Sequence, residues 1–506
     1  MWQRRSGEHQ TGTSPRRPTT SLQLFNRRSF TMVDPQLGFE GDTTDGFINR
    51  LREALGKGSV LTGTDIGSRY YHDLAGKLVA QPRAVVRPRT TEEVSALLRL
   101  CHREQVPVTT QGGMTGVVRG ALPNANEIVL SMELMNAVEE VDTSSGAAIA
   151  QAGAPLQKVQ ERVEQEGYMF PLDLSARGSC TIGGNISTNA GGNRVIRYGM
   201  TRDLILGLEV VTADGTVLQG LRKYIKNNTG IDLKQLFIGS EGILGVVTRA
   251  ALRIFPASAE RQVALCALPS FAQVIAILGL ARKHLGGELT AFEVMWNEYY
   301  RLTVERVEGV VGPLRAHHPY YVLIEASGDD TDRIHADLEK LLETAMHKNI
   351  ILDATLSTSN ASAAAIWRVR DSSLELARTF PYAARIALDV SLAIDRMEEY
   401  VKAIGARIKA IDPGAFAIVF GHAGDGNLHV NLHHEHTPDR RQDLEKLAYQ
   451  TTSEFGGSIS AEHGIGVVKR PYLKMSRTQE EIETMRTLKR ALDPNSILNP
   501  GRIFTM

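Results

Sequence analysis

Three glycine-rich loops constrain this chain more than any other feature: Gln111-Gly112-Gly113-Met114-Thr115-Gly116 running on to Gly120, Gly178 to Gly192 (GSCTIGGNISTNAGG), and Gly239 to Val247 (GSEGILGVV). Glycine permits positive φ and lets successive N–H groups line one concavity, which holds a pyrophosphate without a charged side chain. Small residues and hydroxyls at this density press backbone against a large planar ligand, with Ser and Thr bonding its polar edges. One such loop alone would read as an ordinary turn. Three need a shared explanation. A nicotinamide-type Rossmann domain is not that explanation, because no G-x-G-x-x-G opens a helix with an acidic residue about twenty positions on.

Around the loops the pattern is α+β. Residues 82–88 read as a short strand, Thr90-Thr91-Glu92-Glu93-Val94 as a helix start with acidic residues in its first turn, and Val106 to Thr110 as the strand closing a β-α-β unit. Further short strands fall at Ile128 to Ser131, Ala147 to Gln151, Leu206 to Thr212 and Val217 to Leu221. Asp214-Gly215 joins the last two as a two-residue hairpin turn, so antiparallel pairing is expected rather than a doubly wound sheet. Upstream, Asp42 to Leu55 has helical spacing closed by Gly56. Beyond Phe255-Pro256, long helical patterns alternate with strands such as Tyr320 to Ala326, Ile386 to Leu392 and Phe416 to Phe420, and Pro256 is the expected domain boundary.

At 506 residues the chain exceeds one ordinary core, so two domains with room for a third are expected. Lys plus Arg and Asp plus Glu both total 57, which leaves no field to attract nucleic acid. Cys101, Cys180 and Cys266 stand far apart with no CxxC, so neither a disulfide framework nor an iron-sulfur cluster is indicated and a reducing compartment fits. The apolar stretch around Val274 to Ala281 is far short of the roughly twenty residues that cross a bilayer, so membrane contact would be peripheral. Residues 1–31 carry arginines at 4, 5, 16, 17, 27 and 28 against Glu8 alone. Two readings stand: a mitochondrial transit segment, or an extension upstream of a true start at Met32.

A second constellation lies far downstream. Gly421-His422-Ala423-Gly424-Asp425-Gly426-Asn427-Leu428-His429 places two histidines around a turn between strands, and Ser460-Ala461-Glu462-His463-Gly464-Ile465-Gly466 follows. Folded across the turn, His422 and His429 can converge and Glu462 supplies an oxygen. Two imidazoles and a carboxylate with an open position form a catalytic zinc pattern that also admits manganese or iron. His433, His434 and His436 read instead as a solvated strand end, and Asp425 and Asn427 as turn formers, with Asn427 in reach of a substrate.

The loops QGGMTG, GSCTIGGNISTNAGG and GSEGILGVVT, with Arg197-Tyr198-Gly199, resemble the FAD-binding domain of the vanillyl-alcohol oxidase superfamily. GHAGDGNLH, SAEHGIG and LDPNSILNPGRIF resemble its D-2-hydroxy acid dehydrogenase branch, which includes D-lactate, glycolate and D-2-hydroxyglutarate dehydrogenases. The resemblance implies a bipartite FAD domain at 45–256, an antiparallel-sheet substrate domain with covering helices at 257–460, and a segment 461–506 returning to the FAD domain. It implies flavin contacts at Gly112, Gly113, Thr115, Gly116, Pro171, Ser179, Thr181, Gly183, Gly184, Asn185, Ser187, Gly191, Gly192, Tyr198, Gly242, Ile243, Val247 and Asn499. Some relatives tether flavin through a histidine in this domain. None lies between His102 and His284, so the FAD is expected to be non-covalent. Two departures are Met114, where the family often has Asn, and Arg119, where glycine is usual.

Ile366-Trp367-Arg368-Val369-Arg370-Asp371 resembles the segment that supplies an arginine to the substrate carboxylate, which by register is Arg370. In relatives specific for D-2-hydroxyglutarate a threonine and a lysine hold the second carboxylate; these positions fall here on Leu374 and Ala387, which weakens the case for a dicarboxylate substrate without excluding it, and Arg385, two residues before Ala387, is a cation able to take that part. The expected chemistry is oxidation of a D-2-hydroxy acid. The divalent metal lowers the pKa of the hydroxyl, His463 accepts its proton, Arg370 orients the carboxylate, and hydride leaves for FAD. Electrons would pass to a separate carrier such as an electron-transfer flavoprotein, cytochrome or quinone. A homodimer in the cytoplasm, or in the mitochondrial matrix if residues 1–31 are a transit segment, completes the expectation. The competing readings are a flavin-dependent alkyl transferase of the ether-lipid type, whose resembling loop has histidine in place of Glu462, and a non-enzymatic flavoprotein subunit.

Overall fold

The computed structural model describes residues 44–72, 79–258, 260–381, 385–434 and 438–506. Of the unit ending at Gly46, residues 44–46 are described, as the start of helix Thr44–Leu55; the second unit, Phe47–Met506, holds the sheets and the site. Residues 1–31, the helix start anticipated at Asp42, and His436 lie outside the described residues.

Strands β1 (Val60–Leu61), β2 (Ala84–Val86), β3 (Val108–Gln111) and β4 (Ile128–Ser131) form a sheet in the order β1-β2-β4-β3. The β-α-β unit is present, but β4 lies between its two strands and pairs in parallel with both. A helical crossover, Thr91–Glu104, returns the chain in the direction in which it left, as a β-α-β unit requires, while β1 pairs antiparallel with β2. Thr90 caps the helix by accepting from Glu93 N at 3.3 Å.

The next strands are β5 (Val138–Asp142), β6 (Ala147–Gln151), β7 (Tyr168–Met169), β8 (Ile205–Val211), β9 (Val217–Gly220), β10 (Val246–Arg253) and β11 (Phe255–Pro256). Five of them make an antiparallel sheet, β5-β6-β10-β8-β9, while β7 and β11 form a two-stranded ribbon. The β8–β9 hairpin spans residues 212–216 rather than Asp214-Gly215 alone. Its width is set by the Asp214 carboxylate, which accepts from Thr212 Oγ1 at 2.6 Å and Thr216 N at 3.0 Å.

The third sheet comprises β12 (Glu260–Leu268), β13 (Leu289–Trp296), β14 (Tyr320–Gly328), β15 (Asp353–Leu356), β16 (Arg385–Ser391), β17 (Phe416–Gly421) and β18 (Asn427–His433). It is antiparallel throughout, in the order β15-β12-β14-β13-β17-β18-β16. Helices cover both faces: one core includes residues of Phe271–Leu285, Thr331–His347 and Met397–Ile411, and another includes residues of Asn297–Arg306 and Asn360–Asp371. Sandwiched strands need apolar side chains on both faces, and β13 accordingly reads LTAFEVMW, buried from end to end. Glu293, in its middle, breaks that run. Against the expectation of a solvated strand end, His433 and His434 are buried, His433 stacked against Phe416 at 4.9 Å.

The chain's last segment packs into the core of the first two sheets through Leu473, Ile482, Ile497, Leu498, Ile503 and Phe504. Asn499 N donates to Val108 O and Val108 N to Ile497 O, both at 2.8 Å, which extends β3 sideways. Arg502 then forks onto the buried Glu127 carboxylate, with Nη1–Oε1 and Nη2–Oε2 each 3.0 Å. Burial alone would raise the Glu127 carboxyl, but the guanidinium outweighs it and holds the group below its ordinary value. Arg502→Met leaves that carboxylate buried and unpaired, so the expected loss is about 3–5 kcal/mol, measured by denaturant unfolding.

Candidate active site

The glycine loops converge because their glycines let them. A Cβ on Gly112 would run into Thr181 Oγ1, and one on Gly113 into the Ser179 carbonyl, so the first loop lies against the second with no room for side chains. Gly183 meets Ala152 in the same way, and Thr181 Oγ1 caps Gly184 N at 3.4 Å. Gly242, at φ 73, stands against the Asn499 amide. Thr110 Oγ1, Gln111 Oε1 and Asn185 Nδ2 are buried along these loops without a hydrogen-bond partner among the described residues. Glycine walls with unanswered polar atoms fit a bound flavin dinucleotide.

Other anticipated flavin contacts are distributed unevenly. Ser187 gives its carbonyl to Glu241 N at 2.7 Å. Ile243 and Val247 are buried, and the Ile243 carbonyl accepts from Lys489 Nζ at 2.7 Å. Asn499 is a staple: its Oδ1 accepts from Thr110 N at 2.9 Å and its Nδ2 donates to Glu241 O at 2.6 Å. Tyr198 stands edge-on to Phe255 at 4.9 Å and lines a cavity of about 340 Å³ with Pro171's neighbours Phe170 and Asp173, and with Arg177, Arg194 and Arg261. Thr115 is half-buried, and a Cβ on Gly116 would meet open space. Met114 and Arg119, the two departures from the family pattern, both hold positive φ, 57° and 59°; the loop keeps left-handed turns at positions occupied by side chains.

The second wall is the β17–β18 hairpin with the loop after Ser458. The turn 422–427 brings the His422 and His429 rings to 5.3 Å, nearly perpendicular. One ligand atom from each of His422, His429 and Glu462 lies within 4.8 Å of the others, a spacing that one divalent ion can draw together. The wall meets the glycine loops directly. Glu462 Oε1 accepts from Gly192 N at 2.8 Å, and a Cβ on Gly191 would stand 2.7 Å from that oxygen.

Two buried carboxylates hold this wall, and neither was singled out by sequence reasoning as a functional residue. Asp389 on β16 accepts from Asn427 Nδ2 at 2.9 Å, Glu462 N at 2.9 Å and His463 N at 3.0 Å, with His463 Nδ1 at 3.5 Å and His429 Nδ1 at 3.8 Å. Burial acts to raise its carboxyl, but His463, Lys469 and His429 hold it well below the usual carboxylate range. A second geometric grouping joins Asp389, Glu462 and His463, yet the oxygens of Asp389 are already taken up by these donors. It therefore acts as an anchor. Asn427 Oδ1 is left buried and without a partner.

Glu293 is the other carboxylate. His422 Nδ1 lies 2.7 Å from Oε1, and Arg370 Nε donates to Oε2 at 2.8 Å. Burial pulls His422 down, but Glu293 reverses this and pushes its imidazole up to about 9. His429, facing His422 without so close a carboxylate, is held down to about 4 by burial first. With Nδ1–H directed at Glu293, His422 presents Nε2 outward, the arrangement in which a carboxylate orients a metal-bound imidazole. Arg370 Nη2 contacts that Nε2 at 3.1 Å. The guanidinium is thus 8% exposed and anchored at Nε, with its Nη edge turned to the histidines. Arg368 instead pairs with Glu375 on the surface. Arg385 sits at the far end of β16 opposite His433, two residues from the exposed Ala387. A signal for the anchors was present in the sequence: Glu293 and Asp389 are lone charges within apolar strands, LTAFEVMW and IALDVSL.

Residues 82–220 match the FAD binding domain family and residues 257–503 the FAD linked oxidases, C-terminal domain family. The chain is 42% identical over 424 residues to the mitochondrial D-2-hydroxyglutarate dehydrogenase of Bos taurus, covering 83% of this chain and 77% of that one. It is 38% identical over 474 residues to D-2-hydroxyglutarate dehydrogenase of Xanthomonas citri pv. viticola, covering 91% and 97%. A Schizosaccharomyces pombe protein with the provisional name of a mitochondrial D-lactate dehydrogenase is 36% identical, covering 96% and 95%. Among solved structures, p-cresol methylhydroxylase superposes with a TM-score of 0.73 at 15% identity, covering 91% of this chain and 97% of that one. Alkyldihydroxyacetonephosphate synthase does so with 0.70 at 19% identity, covering 93% and 87%; both share the fold. The chain belongs to the FAD-dependent D-2-hydroxy acid dehydrogenases, the hydroxy-acid branch of the vanillyl-alcohol oxidase superfamily.

Proposed function

We propose that this enzyme oxidises D-2-hydroxyglutarate or a D-2-hydroxy acid of its class at a metal site made by His422, His429 and Glu462, with zinc the ion best suited to two imidazoles and a carboxylate. The observation that carries the reading is the convergence of these three side chains beside Gly191 and Gly192. When bound, FAD accepts a hydride and the metal acidifies the hydroxyl it coordinates. The remaining work falls to this chain's own groups. His463, fixed through its backbone N–H to Asp389, takes the hydroxyl proton. Arg370 offers its Nη edge to the C1 carboxylate while Glu293 holds Nε, so the fork is oriented before substrate arrives. Asn427, held at Nδ2 by Asp389, keeps its Oδ1 buried without a partner among the described residues, an acceptor open to the substrate.

Arg385 receives the distal carboxylate, since Leu374 and Ala387 are exposed and carry no charge. Electrons leave to a separate carrier, an electron-transfer flavoprotein, cytochrome or quinone. A mitochondrial location is supported by the names of several relatives and by the arginine-rich residues 1–31. The alkyl-transferase alternative has fold likeness alone, at 19% identity.

Four measurements test this reading. Chelation is expected to abolish flavin bleaching by D-2-hydroxyglutarate while FAD stays bound, and His463→Asn to lower turnover by about 10²- to 10⁴-fold with metal and flavin retained; wild-type turnover in that variant removes the base assignment. Arg385→Met should weaken kcat/KM for D-2-hydroxyglutarate by roughly 10- to 100-fold, the loss of one charge-assisted pair, and leave D-lactate unchanged. Denaturation should release all the flavin into the supernatant, as no histidine stands in the flavin domain between His102 and His284 to tether it.

A further inference from the structure

Glu241 lies in the third glycine loop, yet its bonds reach the second loop, the 460–466 loop and the chain's last segment. Its carboxylate accepts from Ile465 N at 2.7 Å through Oε1 and from Gly466 N at 2.8 Å through Oε2. Its backbone N donates to Ser187 O at 2.7 Å, in the second loop, and its backbone carbonyl accepts from Asn499 Nδ2 at 2.6 Å. A Cβ on Gly464 would come within 2.8 Å of Oε1, and one on Gly120 within 3.4 Å of Oε2, so the first loop and the 460–466 loop both close on this side chain. Glu241 itself holds φ 50°, a left-handed conformation that L residues usually leave to glycine. A strained backbone is kept where surrounding bonds over-determine it.

The sequence Glu462-His463-Gly464-Ile465-Gly466 ties those bonds to the chemistry. Fixing Ile465 and Gly466 N–H groups from one side, while Asp389 fixes Glu462 and His463 N–H groups from the other, stretches the loop between two carboxylates. We propose that Glu241 is a positioning residue that transmits flavin occupancy to the loop bearing Glu462 and His463, so that the loop reaches its working geometry when the cofactor is seated. The proposal rests on the reading of the glycine loops as the flavin cradle. It does not need the metal.

Amide hydrogen exchange on the full chain, with chelator present, tests the coupling without activity. In the wild type, adding FAD is expected to slow exchange of residues 460–468 at least tenfold, together with residues 111–120. In Glu241→Gln, whose amide can accept from only one of the two N–H groups, FAD should still protect 111–120 while protection of 460–468 falls to less than threefold. Glu241→Asp, which keeps both acceptors on a shorter arm, should recover part of it. Equal protection of 460–468 in wild type and Glu241→Gln overturns the proposal, as does a wild type in which FAD leaves that segment unchanged. Failure of chelator to affect flavin reduction would instead remove the metal reading and leave this result standing.

Discussion

The site depends on one buried charge. Asp389 has no solvent exposure, and a carboxylate out of water is tolerated when hydrogen bonds and opposite charges replace its hydration. Here the replacements come from three places: the Asn427 amide of the hairpin, the backbone N–H groups of Glu462 and His463, and the charge of Lys469 beyond them. None of these is close to β16 in the sequence. Burying the charge therefore requires the hairpin and the catalytic loop to arrive together, and folding assembles the site as a by-product of neutralising it.

Glu293 does the same for the other half. It sits in the middle of a central strand, where an apolar residue would pack without cost, and it joins His422 on one oxygen to Arg370 on the other. A group expected to bind metal and a group expected to bind a carboxylate thereby share one anchor. The separation of the two duties comes from geometry. Nδ1 and Nε face Glu293, while His422 Nε2 and Arg370 Nη2 stand 3.1 Å apart at the point where the two duties meet. The likeness to p-cresol methylhydroxylase at 15% identity is one of fold, and the chemistry has to be read from anchors such as these.

Much of the fold was legible because glycine and histidine are read locally. The three loops, the hairpin around Gly424 to Asn427 and the Glu462-His463 pair announce themselves within a dozen residues. What escaped depends on distance. The insertion of β4 between β2 and β3 is a choice of strand order, which short-range patterns do not encode. His434 is buried as well, and burial of His433 follows from Phe416 and Phe380, invisible from the polar run HHEH. Met114 and Arg119 are departures from the family pattern in the first loop, yet the backbone keeps positive φ at both. Asn499 was legible as part of a motif but not as a staple, because its partners, Thr110 and Glu241, come from the other half of the chain.

The Arg502–Glu127 pair joins groups 375 residues apart. At synthesis rates of about 5–20 residues per second, Glu127 leaves the ribosome roughly 20 to 75 s before its partner is made. Throughout that interval the nascent flavin half has an unneutralised carboxylate at its centre and the edge of β3 open, since Ile497 to Asn499 have yet to dock on Val108. The strands of the third sheet all lie between residues 260 and 433, but Asp389 within it also waits for a later segment, Glu462 and His463, so each part of the protein is completed by residues far downstream.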